Sequence, residues 1–265
     1  MTTLTSRIPA GHYSFADVAR MEWIKLRSLR STWWTLSVTV AGAIGIAITV
    51  GVNTKNASGD LTNNALAGSA LGLLLIGVLG VLTMTGEYSS GTIRASLAAV
   101  PKRSLFLVAK AAVFGLLAFA TGEAAAFIAF FAGGAALPRT IPAPALSQPG
   151  VLRAVVLSGA GFCLVGLLGL GLGAIIRQTP AAIAVLVGGV YVLAQVIAAF
   201  AHQLIAYLPI SIVGDSLAAV KPLTCGPRDH ICPHVLSAWA GLGMLCLYAV
   251  VALGIGGLLL ARRDA

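Results

Sequence analysis

The chain has 265 residues, 58% of them hydrophobic and only 9% charged, with a mean hydropathy of +0.95. Soluble globular domains carry about a quarter charged residues, so this composition excludes an ordinary soluble fold and points to a bilayer. The net charge of +9 comes from 17 Lys and Arg against 8 Asp and Glu. Aromatic residues are not interleaved among the basic ones, so this charge reads as topology and attraction to anionic headgroups, with no nucleic-acid partner expected.

Residues 14–31 have the pattern of an amphipathic helix. Phe15, Val18, Ala19, Trp23, Leu26 and Leu29 share one face, and Arg20, Lys25 and Arg27 lie away from it. Ser14 with Asp17 three residues later is a capping signal. Such a helix is expected to lie in the membrane interface with Trp23 at headgroup depth; the alternative is a solvated basic tail held by electrostatics. About thirty polar and basic residues precede the first apolar run. That is not the form of a cleaved signal peptide, so the first span is expected to be retained.

Uncharged runs cover 31–54, 61–86, 154–176, 178–214 and 230–261, and 111–138 is broken only by Glu123. A helix crosses about 30 Å of hydrocarbon in roughly 20 residues, so each run supplies one span. The predicted limits are 32–52, 65–85, 111–132, 154–176, 181–201 and 235–261. Trp33 and Trp34 mark the entry of the first. Pro209 and the polar residues near Asp215 argue against a second span in the long run after Gln178.

Six spans put both termini on one side. Of the 17 basic residues, Arg7, Arg20, Lys25, Arg27, Arg30, Arg94, Lys102, Arg103, Lys110, Arg177, Arg262 and Arg263 fall on that side, against Lys55, Arg139, Arg153, Lys221 and Arg228 on the other. The positive-inside rule then assigns the termini to the cytoplasm. The expected architecture is an all-α polytopic membrane protein, one transmembrane domain over 1–265, with no internal repeat and no separable soluble domain.

Between spans two and three lies a polar, basic island, GEYSSGTIRASLAAVPKR, at 86–103. Glu87 closes the span, Tyr88, Ser89, Ser90 and Gly91 are turn-like, and 92–100 forms a short helix that Pro101 ends. Arg94, Lys102 and Arg103 are expected to project from it. The plainer reading of the same residues is a basic cytoplasmic loop.

The outer connections differ in character. The first is short and polar, and its Asn56-Ala57-Ser58 spacing fits a glycosylation acceptor but at most indicates exposure. The second carries Pro138, Pro142, Pro144 and Pro149. The longest, 202–234, contains Cys225, His230, Cys232 and His234. This set could bind zinc, but in an oxidising compartment a Cys225–Cys232 disulfide is favoured, and no metal is assigned. Cys163 and Cys246 fall in spans and read as buried small residues.

Chemistry-bearing motifs are few. No G-x-x-x-x-G-K-[ST], H-E-x-x-H, G-x-S-x-G or C-x-x-C occurs, so any nucleotide hydrolysis is expected in another subunit and this chain binds no cofactor of its own. Glu123 is the acidic residue near the middle of a span. It serves either a transport or proton pathway or a structural hydrogen bond. Gly169 and Gly173 have the G-x-x-x-G spacing that permits close helix approach.

The strings GEYSSGTIRASLAAVPKR and, before the first span, EWIKLRSLRSTWW are similar to permease subunits of type-2 ATP-binding-cassette (ABC) transporters. The resemblance covers the whole chain: a connecting helix, six spans, a coupling helix in the first inner loop and a long outer region before the last span. It implies a complex in the cell membrane of two permease chains, identical or homologous, and two cytoplasmic ATPases that carry ATP and Mg. Glu87, Tyr88, Gly91, Thr92, Ile93 and Arg94 would dock on the ATPase. Glu22, Trp23, Lys25 and Arg27 would belong to the connecting helix, and export would be the direction. The paired Cys225 and Cys232 are not part of that pattern. Two other readings stay open: an ion-coupled transporter or channel using Glu123, and a membrane enzyme using the outer Cys and His cluster.

Overall fold

A computed structural model of the chain describes residues 14–55, 60–192, 196, 206–216 and 236–262. Among these residues the regular structure is entirely helical: α1 (Phe15–Ser28), α2 (Arg30–Asn53), α3 (Leu61–Ala65), α4 (Ser69–Ser89), α5 (Thr92–Ala99), α6 (Arg103–Ala135), α7 (Val151–Ile176), α8 (Thr179–Val187), α9 (Pro209–Ser211) and α10 (Ala238–Arg262). Short π-helical turns, Gly188–Val192 and Ile212–Ser216, extend α8 and α9. Five helices, α2, α4, α6, α7 and α10, are long and apolar enough to cross a bilayer, as befits a multi-pass membrane protein.

The α1 helix starts where its sequence says. The Ser14 hydroxyl accepts from the Asp17 N–H at 3.3 Å, and the Asp17 carboxylate accepts from the Ser14 N–H at 2.9 Å, a complete capping box. Hydrogen bonds from the Ser14 backbone and then its hydroxyl hold the Asp17 carboxyl below the usual carboxylate range. Helix α1 stops at Ser28 because Leu29 is extended, with φ −83° and ψ 113°. The Trp33 indole N–H bonds the Arg27 carbonyl at 3.1 Å across this break and satisfies one of the open carbonyls of the last turn.

The predicted apolar face of α1 divides in two. Val18 and Leu26 are buried against the bundle with Ala19 packed beside them, whereas Phe15, Trp23 and Leu29 are exposed. The buried stripe therefore includes Glu22, which hydrophobic periodicity had not placed there.

Helix α7 is the centre of the bundle and packs on α4, α6 and α10; α2 packs on α6 and α4. Phe106, Phe114, Phe162, Leu73, Ile76, Met84 and Leu170 fill the interior. The α4–α7 crossing depends on glycine. A Cβ at Gly80 would stand 2.1 Å from the Gly166 carbonyl oxygen, one at Gly169 2.1 Å from that of Gly77, and one at Gly173 3.0 Å from that of Val81. The close approach expected from Gly169 and Gly173 is therefore present.

Several limits differ from the predicted ones. Helix α4 runs one turn beyond the predicted 85, carrying Glu87 and Tyr88 within the helix. Helix α6 starts at Arg103 and not 111, and its 33 residues span about 50 Å, more than the hydrocarbon needs. Pro101 bars a helix through the connection, but nothing after Lys102 does, so α6 begins as soon as the proline is passed. The predicted fifth span, 181–201, is described as α-helix in α8 and at residue 196, and residues 193–195 and 197–205 lie outside the described set. Pro209 opens α9, where a missing N–H costs nothing.

Candidate functional site

Four helices converge at one end of the bundle on a cluster of opposed charges. Helix α1 brings Glu22 and Lys25, α4 brings Glu87 from its last turn, α5 brings Ser96, and α6 brings Lys110 and Phe106 from its first three turns. Lys25 Nζ donates to Glu22 Oε1 at 2.8 Å, to Glu87 Oε1 at 2.9 Å and to Ser96 Oγ at 2.9 Å, so all three ammonium protons are used. Lys110 Nζ donates to Glu87 Oε1 at 2.7 Å and to Glu22 Oε2. Ser96 passes its own proton back to the Thr92 carbonyl at 3.1 Å.

Burial makes this more than a surface ion pair. The Glu22 side chain is 2% exposed, Lys110 5%, Glu87 10% and Lys25 33%. Two carboxylates and two ammonium groups balance formally. The Phe106 ring lies under both cations, 5.5 Å from Lys25 Nζ and 5.2 Å from Lys110 Nζ, and adds cation–π attraction where water is excluded. Burial alone would depress the Lys25 pKa, but the hydrogen bond and charge of Glu22, then of Glu87, outweigh it and hold the pKa above the ordinary lysine value. Glu87 Oε2 is buried without a partner.

Local structure explains how the four helices meet. Gly91 turns the chain between α4 and α5 in the left-handed region, φ 71° and ψ 1°, which a residue with a Cβ adopts at a cost. Ile93 and Ser96, three residues apart on one face of α5, are buried against the bundle, and Thr92, Arg94, Ala95, Ala98 and Ala99 form the exposed face. The chain then passes Val100 and Pro101 directly into α6, which returns Lys110 to the same cluster.

Within the cluster each ammonium group is paired with both carboxylates. What it can do is mechanical. It ties α1, α4, α5 and α6 into one unit, because displacing any of the four exposes or unpairs a buried charge.

The predicted site residues separate into two groups. Glu22, Lys25 and Glu87 come together in the cluster. Tyr88 is half-buried under the Arg177 guanidinium, 5.1 Å from its ring centroid, and Ile93 is in the core. Glu87 and Ile93 are thus buried and Tyr88 half-buried, whereas Gly91, Thr92 and Arg94 are exposed. Arg103, expected to project, instead donates to the Leu260 carbonyl at 2.7 Å. Trp23 and Arg27 are exposed on α1 away from the cluster.

Glu123 sits far along α6, packed on the Gly159 backbone so closely that a Cβ there would be 2.5 Å from Oε1, and that oxygen is buried without a partner. Cys163 and Cys246 are free thiols, half-buried and exposed respectively. The disulfide candidates Cys225 and Cys232, with His230 and His234, lie outside the described residues, as does Asn56.

Sequence reasoning had not assigned Lys110, Phe106 or Ser96 to the site. The available signal was Lys110 itself, an isolated cation inside the apolar run of α6. Among known proteins, neither a protein-family model nor a curated relative matches the chain.

Proposed function

We propose that this chain is the permease subunit of an ATP-driven ABC exporter in the cell membrane. In this reading α1 is the connecting helix, α5 is the cytoplasmic coupling helix, and both termini are cytoplasmic. The count of six crossings includes the fifth span expected from sequence, 181–201. Two such chains, identical or homologous, enclose the pathway, and two separate cytoplasmic ATPases bind ATP and Mg and supply the energy.

The observation that carries the proposal is the buried charge cluster joining α1, α4, α5 and α6. A short helix with an exposed outer face, anchored inside by Ile93 and by Ser96, which accepts from Lys25 of the charge cluster, can transmit a push to three other helices at once. Coupling requires contacts that differ between two states, and a rigid lever serves that better than a loose loop. The missing nucleotide-binding loop agrees with hydrolysis in a partner.

The test is copurification. Wild-type protein is expected to bring down an ATPase, Arg94→Glu on the exposed face of α5 to lose it, and Lys110→Met to retain it while losing ATP-driven transport. Retention of both association and transport in Arg94→Glu would refute the docking assignment.

Glu123, with its unpartnered buried oxygen, favours one second reading, an ion-coupled transporter or channel. Transport by the purified chain under an ion gradient alone, abolished in Glu123→Gln, would select it; a requirement for ATP and a second subunit would exclude it.

A further inference from the structure

Two residues beside the charge cluster each retain an unsatisfied buried donor. Arg177 closes α7 in the left-handed region, φ 64° and ψ −7°, with its N–H on the Gly173 carbonyl at 3.0 Å. Among the described residues it is the one non-glycine with positive φ. Glycine or asparagine normally fills such a cap, so an arginine is strained there, and strain of this kind persists where the side chain is needed.

The cap brings the guanidinium over the Tyr88 ring, 5.1 Å from its centroid, and lets Nη2 donate to the Leu259 carbonyl at 3.3 Å. Arg103 Nη1 reaches the next carbonyl, Leu260, at 2.7 Å. Two guanidinium groups thus meet at the C-terminal end of α10, whose partial negative charge accounts for part of their placement. It does not account for all of it, because Arg177 Nε and the Tyr88 hydroxyl are both buried and unpartnered. The neighbouring Glu87 carboxylate gives Oε1 to both Lys25 and Lys110, and neither Arg177 Nε nor the Tyr88 hydroxyl is bonded to its remaining oxygen, Oε2, which is also buried without a partner.

A planar guanidinium fork with a free Nε–H beside a phenolic O–H matches the oxygens of a phosphate. On the outer face of α10, Ile255 and Leu258 are exposed within the turn before Leu259, a surface along which an acyl chain can lie. We infer that Arg177 and Tyr88 form a binding site for a phosphate-bearing anion, supplied by an anionic phospholipid headgroup or by free phosphate. The headgroup is the source that Ile255 and Leu258 favour. Such a site operates whether or not an ATPase docks on α5.

The experiment is thermal unfolding of the purified full chain in detergent, titrated separately with phosphatidylglycerol, phosphatidylcholine and inorganic phosphate. Saturating phosphatidylglycerol is expected to raise Tm by about 4 °C, and phosphatidylcholine to leave it unchanged. Arg177→Gly removes the guanidinium and suits the left-handed backbone, so the variant is expected to fold and to weaken the apparent affinity by about tenfold. Tyr88→Phe keeps the ring and removes only the hydroxyl, for about a fivefold loss. Arg139→Gln, exposed in the connection between α6 and α7, is expected to bind as wild type. A rise with phosphatidylglycerol alone assigns the site to lipid, and an equal rise with inorganic phosphate assigns it to the free anion. No rise with either ligand, or a rise that persists undiminished in both Arg177→Gly and Tyr88→Phe, overturns the site.

Discussion

Replacing Lys110 by methionine removes one charge from the cluster with little change in side-chain length. Lys110 bonds both Glu87, at 2.7 Å, and Glu22, and its side chain is only 5% exposed. At an effective dielectric near 20, each such contact is an attraction on the order of 6 kcal/mol before the cost of desolvating the charges. That cost, several kcal/mol per ion, cancels much of the gain, and breaking a buried pair typically leaves a net penalty of about 3–5 kcal/mol. Here Lys25 still bonds both acids, at 2.8 and 2.9 Å. The repulsion between the two carboxylates therefore stays partly compensated, and the lower end, about 3 kcal/mol, applies. For a chain of this size that corresponds to a fall in Tm of roughly 6–12 °C. The assay is detergent-solubilised thermal unfolding of Lys110→Met, Glu22→Gln and the double variant. Glu22→Gln removes the acid that Lys110 neutralises, so the double variant is expected to be more stable than the two separate losses would sum to, with a coupling of about 1–3 kcal/mol. A Lys110→Met protein that melts within 1–2 °C of wild type, or strict additivity in the cycle, would refute the view that these charges hold the four helices together.

Three further outcomes follow from the same geometry. Gly80→Ala, whose Cβ would stand 2.1 Å from the Gly166 carbonyl, is expected to cost about 3 kcal/mol or prevent folding, while Gly45→Ala, which meets nothing within 4 Å, is expected to stay within about 1 kcal/mol of wild type; comparing their melting temperatures checks this. Because the Lys25 pKa is raised on folding, its contribution is complete below the unfolded value and is lost as pH rises through the folded one. Stability measured from pH 6 to 9 is expected to show no loss from this residue, with a decline beginning only above about pH 10.4 that is smaller in Lys25→Met. Gly91→Ala, at φ 71° with open space around it, is expected to cost about 1 kcal/mol through backbone strain alone and to lower coupled transport without removing the protein from the membrane.

Much of this architecture is legible from hydropathy because the bilayer demands long apolar helices, and α2, α7 and α10 fall within a few residues of their predicted limits. The capping box at Ser14, the Gly91 turn and the stop at Pro101 are legible for a different reason, since each depends on backbone chemistry that is local. The charge cluster is not local. Glu22 and Glu87 are 65 residues apart in the numbering and meet only through the packing of α1 and α4 onto α6. Periodicity assigned Lys25 to the polar side of α1, but a lysine on the rim of a buried stripe is drawn inward by two carboxylates. Lys110 read as a topology marker because counting charges by side ignores which of them are desolvated. Glu87, Tyr88 and Ile93, assigned to the coupling segment by resemblance, are buried or half-buried, while the outer face of α5 is open, a division that resemblance does not supply.

In the proposed permease, α5 would receive movement from an ATPase and pass it through the charge cluster. Site-specific crosslinking in native membranes from a cysteine at position 94 (Arg94→Cys), after Cys163, Cys225, Cys232 and Cys246 have all been replaced by serine, checks this link. The expected result is a crosslink to an ATP-hydrolysing subunit whose yield changes between nucleotide-free and ATP-bound conditions, and whose nucleotide dependence disappears in Lys110→Met. Absence of any crosslink to such a subunit, alongside transport that proceeds without ATP, would contradict it.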